Sequence, residues 1–302
     1  MVWTDTGTFA RDGIPIDASE VDPDIFWVSH DLFSSNRLLG FFAIIGGGTR
    51  GRWVQSFAAG VDSPAMKMIV ARGMTLTKSS AQAPAIAEYV MAHVLSLLHP
   101  IADQGAAQRA HEWRRVPFRE VASTRWLLVG YGSIGQQIAA RVKAFGVSLT
   151  VQRREGGDTP LADAVVTGTD LPRLLPNMDV VVLACALTDE TKHMADTDFF
   201  AAMKPGSIFV NIGRGPLIDE DALRSALDRD RPAAAVLDVF KTEPLPADAW
   251  FWDHPKVRVT AHASSAGDGA LARGDTLFLE NLHRYLAGDE MLNAVQPHEV
   301  GL

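Results

Sequence analysis

The chain has 302 residues, 47% of them hydrophobic, and its 28 basic and 36 acidic side chains leave a formal charge of −8. That length fits two domains, each with its own core, and the acidic balance argues against nucleic acid or an anionic membrane as the main partner, because both attract basic surfaces. Cys185 is the only cysteine, so no internal disulfide forms and nothing calls for an oxidising compartment. The start, Met1-Val2-Trp3-Thr4-Asp5, lacks a basic region ahead of an apolar stretch, and the longest helix-like apolar stretch, Ala85 to Leu98, is too short for a bilayer. The expectation is a cytoplasmic protein that binds neither membrane nor nucleic acid.

In chain order, Phe41-Phe42-Ala43-Ile44-Ile45 followed by Gly46-Gly47-Gly48 reads as a buried strand and a turn. Arg52 to Phe57 reads as a second strand, leading into Ala59-Gly60-Val61-Asp62. Met66–Val70 and Met74–Thr77 bracket Arg72-Gly73, the pattern of a helix end, a glycine stop and a short strand. From Pro84 to about Ala110 the pattern is helical, with Ile86, Val90, Val94 and Leu97 at three- and four-residue intervals. His99-Pro100 breaks or kinks that segment and is taken as the crossing between domains. Beyond it, strands are expected at Trp126–Gly130, Val147–Gln152, Asp179–Cys185, Ser207–Ile212, Ala233–Val239 and Val257–Thr260. Helices are expected at Ile134–Phe145, Asp196–Met203 and Glu220–Asp228. Apolar strands alternating with helices imply right-handed crossovers and an α/β fold with a doubly wound parallel sheet. The tail from about Gly267 is helical and is expected to return to the first domain. The division is therefore 1–98 plus about 268–302 for one domain, and 99–267 for the other.

Gly130-Tyr131-Gly132-Ser133-Ile134-Gly135 follows the strand Trp126–Val129 and opens a helix. A G-x-G-x-x-G run gains its force from this placement. Gly130 allows the tight turn, Gly132 lets a pyrophosphate reach the backbone amides at the helix N-terminus, and Gly135 allows the helix to lie close to the sheet. The plainer alternative is a tight strand–helix turn and nothing more. For NAD the fingerprint also expects an acidic residue at the tip of the second strand, to hold the ribose 2′-hydroxyl. Here that strand ends in Gln152-Arg153-Arg154, with Glu155 past the usual position. A guanidinium at that place suits a 2′-phosphate; the alternative is a solvated strand end.

Three further stretches place charged residues just after strands: Lys204-Pro205-Gly206 through Asn211-Ile212-Gly213-Arg214-Gly215; Asp238-Val239-Phe240-Lys241-Thr242-Glu243-Pro244-Leu245-Pro246; and Thr260-Ala261-His262. In open parallel sheets the carboxyl ends of strands form the ligand crevice, so Arg214, Asp238, Glu243 and His262 are candidates to converge on a cofactor at the glycine loop. With these motifs in this order, from about Trp53 to His262, the chain strongly resembles the D-isomer-specific 2-hydroxyacid dehydrogenase family.

The resemblance implies a Rossmann cofactor domain with a smaller, flavodoxin-like substrate domain. It implies that Arg214 binds the substrate carboxylate and polarises the keto oxygen, that His262 protonates that oxygen, and that Glu243 orients His262 and favours its protonated form. Backbone amides at Ala59, Gly60 and Val61 would hold the carboxylate from the other domain. Asp238 would meet the nicotinamide carboxamide. Ser133, Ile134, Thr191 and Ile212, with Gly130, Gly132, Gly135, Arg153, Arg154, Arg214 and His262, complete the expected cofactor contacts. Ala261 and Ala186 stand where the family usually has proline. The implied activity is NADPH-dependent reduction of a small 2-keto acid, with NAD(H) possible as cofactor, no metal, and a homodimer as the assembly. Two alternatives stay open: an NAD-dependent D-2-hydroxyacid dehydrogenase working oxidatively, and a dinucleotide-sensing scaffold that binds proteins. His111, Trp113 and Arg114 are read as linker-helix residues, the alternative being that they reach the crevice. Of Trp250, Phe251 and Trp252, at least one is expected in the core, with another available to wall a substrate pocket.

Overall fold

The computed structural model describes residues 2–3, 9–17, 20–34, 37–154, 156–168 and 171–302; Glu155 lies outside them. In chain order the strands and helices are β1 (Val2–Trp3), β2 (Phe9–Arg11), β3 (Ile14–Ile16), β4 (Ile25–Val28), α1 (His30–Ser34), α2 (Leu38–Gly47), β5 (Trp53–Ser56), α3 (Pro64–Ala71), β6 (Thr75–Thr77), α4 (Ala83–Leu98) and α5 (Ile101–Arg109). They continue with β7 (Arg125–Val129), α6 (Ser133–Ala144), β8 (Ser148–Arg153), β9 (Ala164–Thr167), β10 (Val180–Leu183), α7 (Thr197–Ala202), β11 (Ile208–Asn211), α8 (Glu220–Leu227), β12 (Ala234–Leu237), β13 (Val257–Val259) and α9 (Ala270–Ala287). Two compact units result, Met1–Ala81 with Asp268–Leu302, and Gln82–Gly267.

The second unit carries a seven-stranded sheet in the order β13-β12-β11-β10-β7-β8-β9, parallel throughout. Its central strands, β7, β10, β11 and β12, are apolar on both faces because both are covered. Leu127 and Val129 of β7 join one core with Phe199, Phe209 and Leu223. Trp126 and Leu128, pointing the other way, join a second core with Ile138 and Val142 of α6 and Ile86, Val90 and Val94 of α4. The chain starts at β7, winds outward through β8 and β9, then returns to β10 on the other side of β7. This reversal puts a crevice at the carboxyl ends of β7 and β10.

The doubly wound sheet is as expected, but the unit boundary moves. α4 shares its apolar face with α6, and Arg141 of α6 reaches Glu88 at 2.8 Å. The second unit therefore begins at Gln82, and His99-Pro100 only breaks α4 from α5. β9 was not anticipated: it is a short edge strand, exposed along most of its length, and lacks the alternation that marks a half-buried strand.

In the first unit β4, β5 and β6 form a parallel three-stranded sheet, with a separate antiparallel β1-β2-β3 ribbon. The expected strand at Phe41–Ile45 is instead the body of α2. Leu38, Phe41, Phe42 and Ile45 recur at i, i+3, i+4 and i+7, one helical face, and pack on the core with Phe26, Val54 and Ile69. A five-residue apolar run cannot by itself distinguish the two periods. α9 closes the unit on the other face of this sheet. Phe278 stacks on Trp27 and Trp53, at 4.4 and 5.5 Å between ring centroids. Asn281 donates to the buried Gln55 Oε1 at 2.9 Å, which also accepts from Thr77 Oγ1 at 2.8 Å. Among the described residues no single helix is long and apolar enough to cross a membrane.

At the amino end of the large sheet, the nearly inaccessible Asp179 receives Lys204 at 2.6 Å, Arg119 at 2.8 Å and the Arg125 amide at 2.8 Å. Burial pushes its pKa up, but these donors outweigh burial and hold the carboxyl below the usual carboxylate range. A depressed folded pKa contributes stability that is present above the unfolded value of about 3.9 and is lost as pH falls through the folded one. Asp179→Asn is expected to cost about 2 kcal/mol at neutral pH, the scale of hydrogen bonds to charged groups. In thermal melts, the gap between wild type and variant should close below about pH 4.

Candidate active site

The glycine loop leaves β7 and enters α6 with Gly130 at φ +101°. A Cβ on Gly130 would lie 2.8 Å from the Ala184 carbonyl, and one on Gly135 would lie 2.3 Å from the Gly130 oxygen. Both glycines are demanded by the protein's own packing. Gly132 is different. Its backbone, at φ −73°, suits any residue, and a Cβ there meets nothing within 4 Å. The chain leaves space over Gly132, at the start of a twelve-residue helix that has no side-chain cap. Orphan amides facing open space are what a pyrophosphate needs, so the residues present fit a dinucleotide. Ser133 and Ile134 are the first residues of α6, half-buried.

Arg153 ends β8, and its Nη1 donates to Asp158 O at 3.3 Å and Thr159 Oγ1 at 3.2 Å. The loop after β8 thus holds the guanidinium in place, while Arg154 is exposed. Beyond β10, Thr191 Oγ1 donates to Ala186 O at 2.8 Å and accepts from the Thr188 amide at 2.8 Å, closing a compact turn. Ile212 is buried against the sheet, its amide bonded to Leu183 O at 3.1 Å.

Arg214, Glu243 and His262 follow the carboxyl ends of β11, β12 and β13, three neighbours in the sheet. Their loops are fastened together. Asn211 donates to Arg214 O at 3.0 Å and accepts from the Gly213 amide at 3.1 Å. Arg214 Nη1 donates to Gly213 O at 2.8 Å. A Cβ on Gly215 would sit 1.9 Å from the Phe240 carbonyl carbon, so only glycine lets the β11 loop lie flat on the β12 loop. Glu243 bridges onward. Its Oε1 accepts the Phe240 amide at 2.9 Å and its Oε2 meets His262 Nδ1 at 2.8 Å. A carboxylate only accepts, which assigns the shared proton to Nδ1 and leaves Nε2 as the working nitrogen. The His262 side chain is 49% exposed, open to a substrate.

His262 has φ +50°, an unusual backbone state for a residue with a Cβ. Asp238 holds it there. Fully buried, its carboxylate accepts Thr260 Oγ1 at 2.6 Å, the Ala263 amide at 2.8 Å and the Ser264 amide at 3.1 Å, while its carbonyl accepts the His262 amide at 2.9 Å. The structure puts the Asp238 carboxylate on the loop that carries His262. Sequence reasoning missed Tyr89 of α4, whose hydroxyl lies 2.7 Å from Thr260 Oγ1. Its only signal is a phenol among the apolar positions of α4.

The remaining candidates are placed as follows. Ala59, Gly60 and Val61 belong to the first unit and follow β5; Val61 is in that unit's core, and Ala58 O accepts the Ser79 amide at 3.0 Å. Phe251 is the core aromatic, stacked on the half-buried Trp250 at 4.0 Å, while Trp252 is half exposed and donates to Pro246 O at 2.8 Å. His111, Trp113 and Arg114 are exposed on the segment after α5.

The chain matches the family model described as "D-isomer specific 2-hydroxyacid dehydrogenase, NAD binding domain" over residues 91–264. It is 30% identical over 253 residues to glyoxylate/hydroxypyruvate reductase B of Enterobacter agglomerans, covering 82% of this chain and 78% of that protein. It is 32% identical over 239 residues to D-3-phosphoglycerate dehydrogenase of Mycobacterium leprae, covering 78% of this chain but only 45% of that longer protein. In structure it is similar to a D-isomer specific 2-hydroxyacid dehydrogenase from Xanthobacter autotrophicus Py2, solved in complex with NADPH and MES. The TM-score is 0.77 at 29% identity, over 97% of this chain and 90% of that one.

The open space at Gly132 makes a sharp prediction. Gly132→Ala should melt within about 1 °C of wild type yet lose most of its dinucleotide affinity by calorimetry. Gly130→Ala and Gly135→Ala, which drive a methyl into backbone, should lower the melting temperature clearly.

Proposed function

The chain belongs to the D-isomer specific 2-hydroxyacid dehydrogenase family of NAD(P)-dependent oxidoreductases, and from that premise we propose that it reduces a small 2-keto acid to the D-2-hydroxy acid with NADPH. The observation that carries this reading is the 2.8 Å pairing of His262 Nδ1 with Glu243, on loops fastened to the one bearing Arg214. The reduced nicotinamide, when bound, supplies hydride for the keto carbon. Arg214 would bind the substrate carboxylate through its planar fork and polarise the keto oxygen. His262 would deliver a proton from Nε2 to that oxygen as charge develops on it. Glu243 would keep Nδ1 protonated and the ring fixed. A homodimer, which rests on the family resemblance, and a cytoplasmic location, which rests on the lone cysteine and the acidic composition, are part of the same reading.

The preference for NADPH is supported by two observations. Among the described residues the tip of β8 carries Arg153, held by Asp158 O and Thr159 Oγ1, beside the exposed Arg154. The Xanthobacter relative was solved with NADPH. A spectrophotometric screen of glyoxylate, hydroxypyruvate, pyruvate and phenylpyruvate with both cofactors tests the whole reading; turnover of none of them would overturn it.

His262→Ala is expected to lower kcat by about 10²–10⁴, with little change in cofactor affinity. Arg214→Ala should damage KM and kcat together, and Arg214→Lys should not fully rescue it, because an ammonium cannot reproduce the bidentate fork. These are read by steady-state kinetics on the preferred keto acid.

The cofactor preference should be at least about tenfold in kcat/KM, the worth of one charge-assisted hydrogen bond at a partly exposed site. It should weaken as salt rises. Arg153→Asp should reverse it, by removing an attraction and adding a repulsion. Equal use of both cofactors by wild type, at all salt concentrations, would make these arginines a solvated strand end.

A further inference from the structure

The loop that carries His262 is fastened from behind by a hydrogen-bond chain that begins on α4. Asp238 Oδ1 already accepts the Ala263 amide at 2.8 Å, and a carboxylate oxygen offers only lone pairs. The proton in the 2.6 Å contact between Thr260 Oγ1 and Asp238 is therefore the threonine's own. Thr260 has no second proton to give, so in its 2.7 Å contact with Tyr89 the phenol is the donor. The chain runs one way, from Tyr89 to Thr260 to Asp238, and ends on the carboxylate that gathers the amides of Ala263 and Ser264, just after the left-handed His262.

The surroundings of Tyr89 favour that direction. The Tyr89 ring packs on His93, 4.3 Å between centroids. Burial pushes the phenol up to about 12, with Asp238 adding to the rise, so its proton stays in place at working pH. Burial and then the charge of Arg258 push His93 down, which keeps it neutral. Arg258 itself is turned to the end of α4, where Nη1 donates to His93 O at 3.2 Å and pairs with Ser96 Oγ. The charged and titratable groups facing this point are Tyr89, His93, Arg258 and Asp238, and among the described residues it is the phenol that meets Thr260 Oγ1 as a donor.

We infer that Tyr89 is a positioning residue for His262: through Thr260 and Asp238 it fixes the 260–264 loop, and so sets where His262 Nε2 presents its proton. The inference rests on the reading of His262 as the acid. Tyr89 touches neither reacting atom. Its effect belongs in kcat, because small misplacements of an acid reduce rate steeply, and not in cofactor binding at the glycine loop, to which this hydrogen-bond chain makes no link.

The test compares wild type with Tyr89→Phe, Thr260→Val, Thr260→Ser and the Phe/Val double variant, using glyoxylate and NADPH, with His262→Ala alongside. Tyr89→Phe keeps the ring and its packing. It should lower kcat about 3- to 10-fold, the worth of one hydrogen bond, with KM for NADPH within twofold of wild type. Hydrogen exchange at the Ala263 and Ser264 amides of the cofactor-free protein should quicken. Thr260→Val should cost more, and Thr260→Ser, which restores the hydroxyl, should return close to wild type. Adding Tyr89→Phe to Thr260→Val should change kcat less than twofold, since the link is already cut. A normal kcat in Tyr89→Phe, a full Tyr89→Phe effect in the Val background, or a rise confined to the KM for NADPH would each overturn the inference. If Thr260→Val does not fold, Tyr89→Phe and Thr260→Ser decide it. An inactive His262→Ala beside a normal Tyr89→Phe sinks the positioning role alone; a fully active His262→Ala sinks the acid assignment and the inference with it.

Discussion

A buried carboxylate that has lost water must find its hydrogen bonds within the protein, and the chemistry end of the large sheet is organised around one such group. Asp238 lies at the end of β12 with no exposed surface, and it is satisfied by drawing in the donors of the chain that follows β13. An unpaired buried carboxylate would cost several kcal/mol, so the loop is drawn into one shape, including a backbone state at His262 that a free chain would rarely adopt. Glu243, Phe240 and Gly215 then relate that loop to the one bearing Arg214. The arrangement is a sequence of contacts in which each group is held by the one before it.

The two ends of the sheet divide the labour. At the amino end Asp179 ties β7, β10 and the segment before β11 with ion pairs and backbone bonds, a site that only needs to be stable. At the carboxyl end the polar groups are spread over separate loops, supported from below by a sheet whose central strands are apolar on both faces. A rigid, two-sided sheet is what allows side chains far apart in sequence to be held to hydrogen-bonding precision.

How far the sequence could be read depended on how local the causes are. The glycine loop is legible because the turn at Gly130 and the approach of Gly135 to Gly130 are local and the G-x-G-x-x-G run sits between strand and helix, although the crowding of Gly130 by Ala184 is not. Arg214, Glu243 and His262 are legible because each falls in the loop after a strand and the three stretches occur in a recognisable order. What stayed hidden is non-local. Phe41–Ile45 reads as strand or helix until its partners in the first unit are known. The boundary at Gln82 depends on α4 matching the face of α6, and the His99-Pro100 break gives no hint of that. β9 lies at an exposed edge, where the pattern that betrays a strand is weakest. Asp238 was noticed for its position, yet its donors come from residues more than twenty positions away. Tyr89 sits farther still from Thr260, and no spacing rule connects them.

The first unit is built from both ends of the described chain, with the second unit inserted between Ala81 and Asp268. That connectivity orders its assembly. During synthesis β4, β5 and β6 emerge early, but the helix that covers their sheet, with Phe278 on Trp27 and Asn281 on Gln55, is made only after the whole of the second unit. Gln82–Gly267 is contiguous and can bury its two cores as it emerges, whereas the earlier segment must wait with aromatic surface uncovered. Folding of the inserted unit brings the two waiting segments nearer each other than an open chain would, and so lowers the entropy of the closure they still have to make. The inserted unit thus serves as a tether for the completion of its host before it serves any ligand.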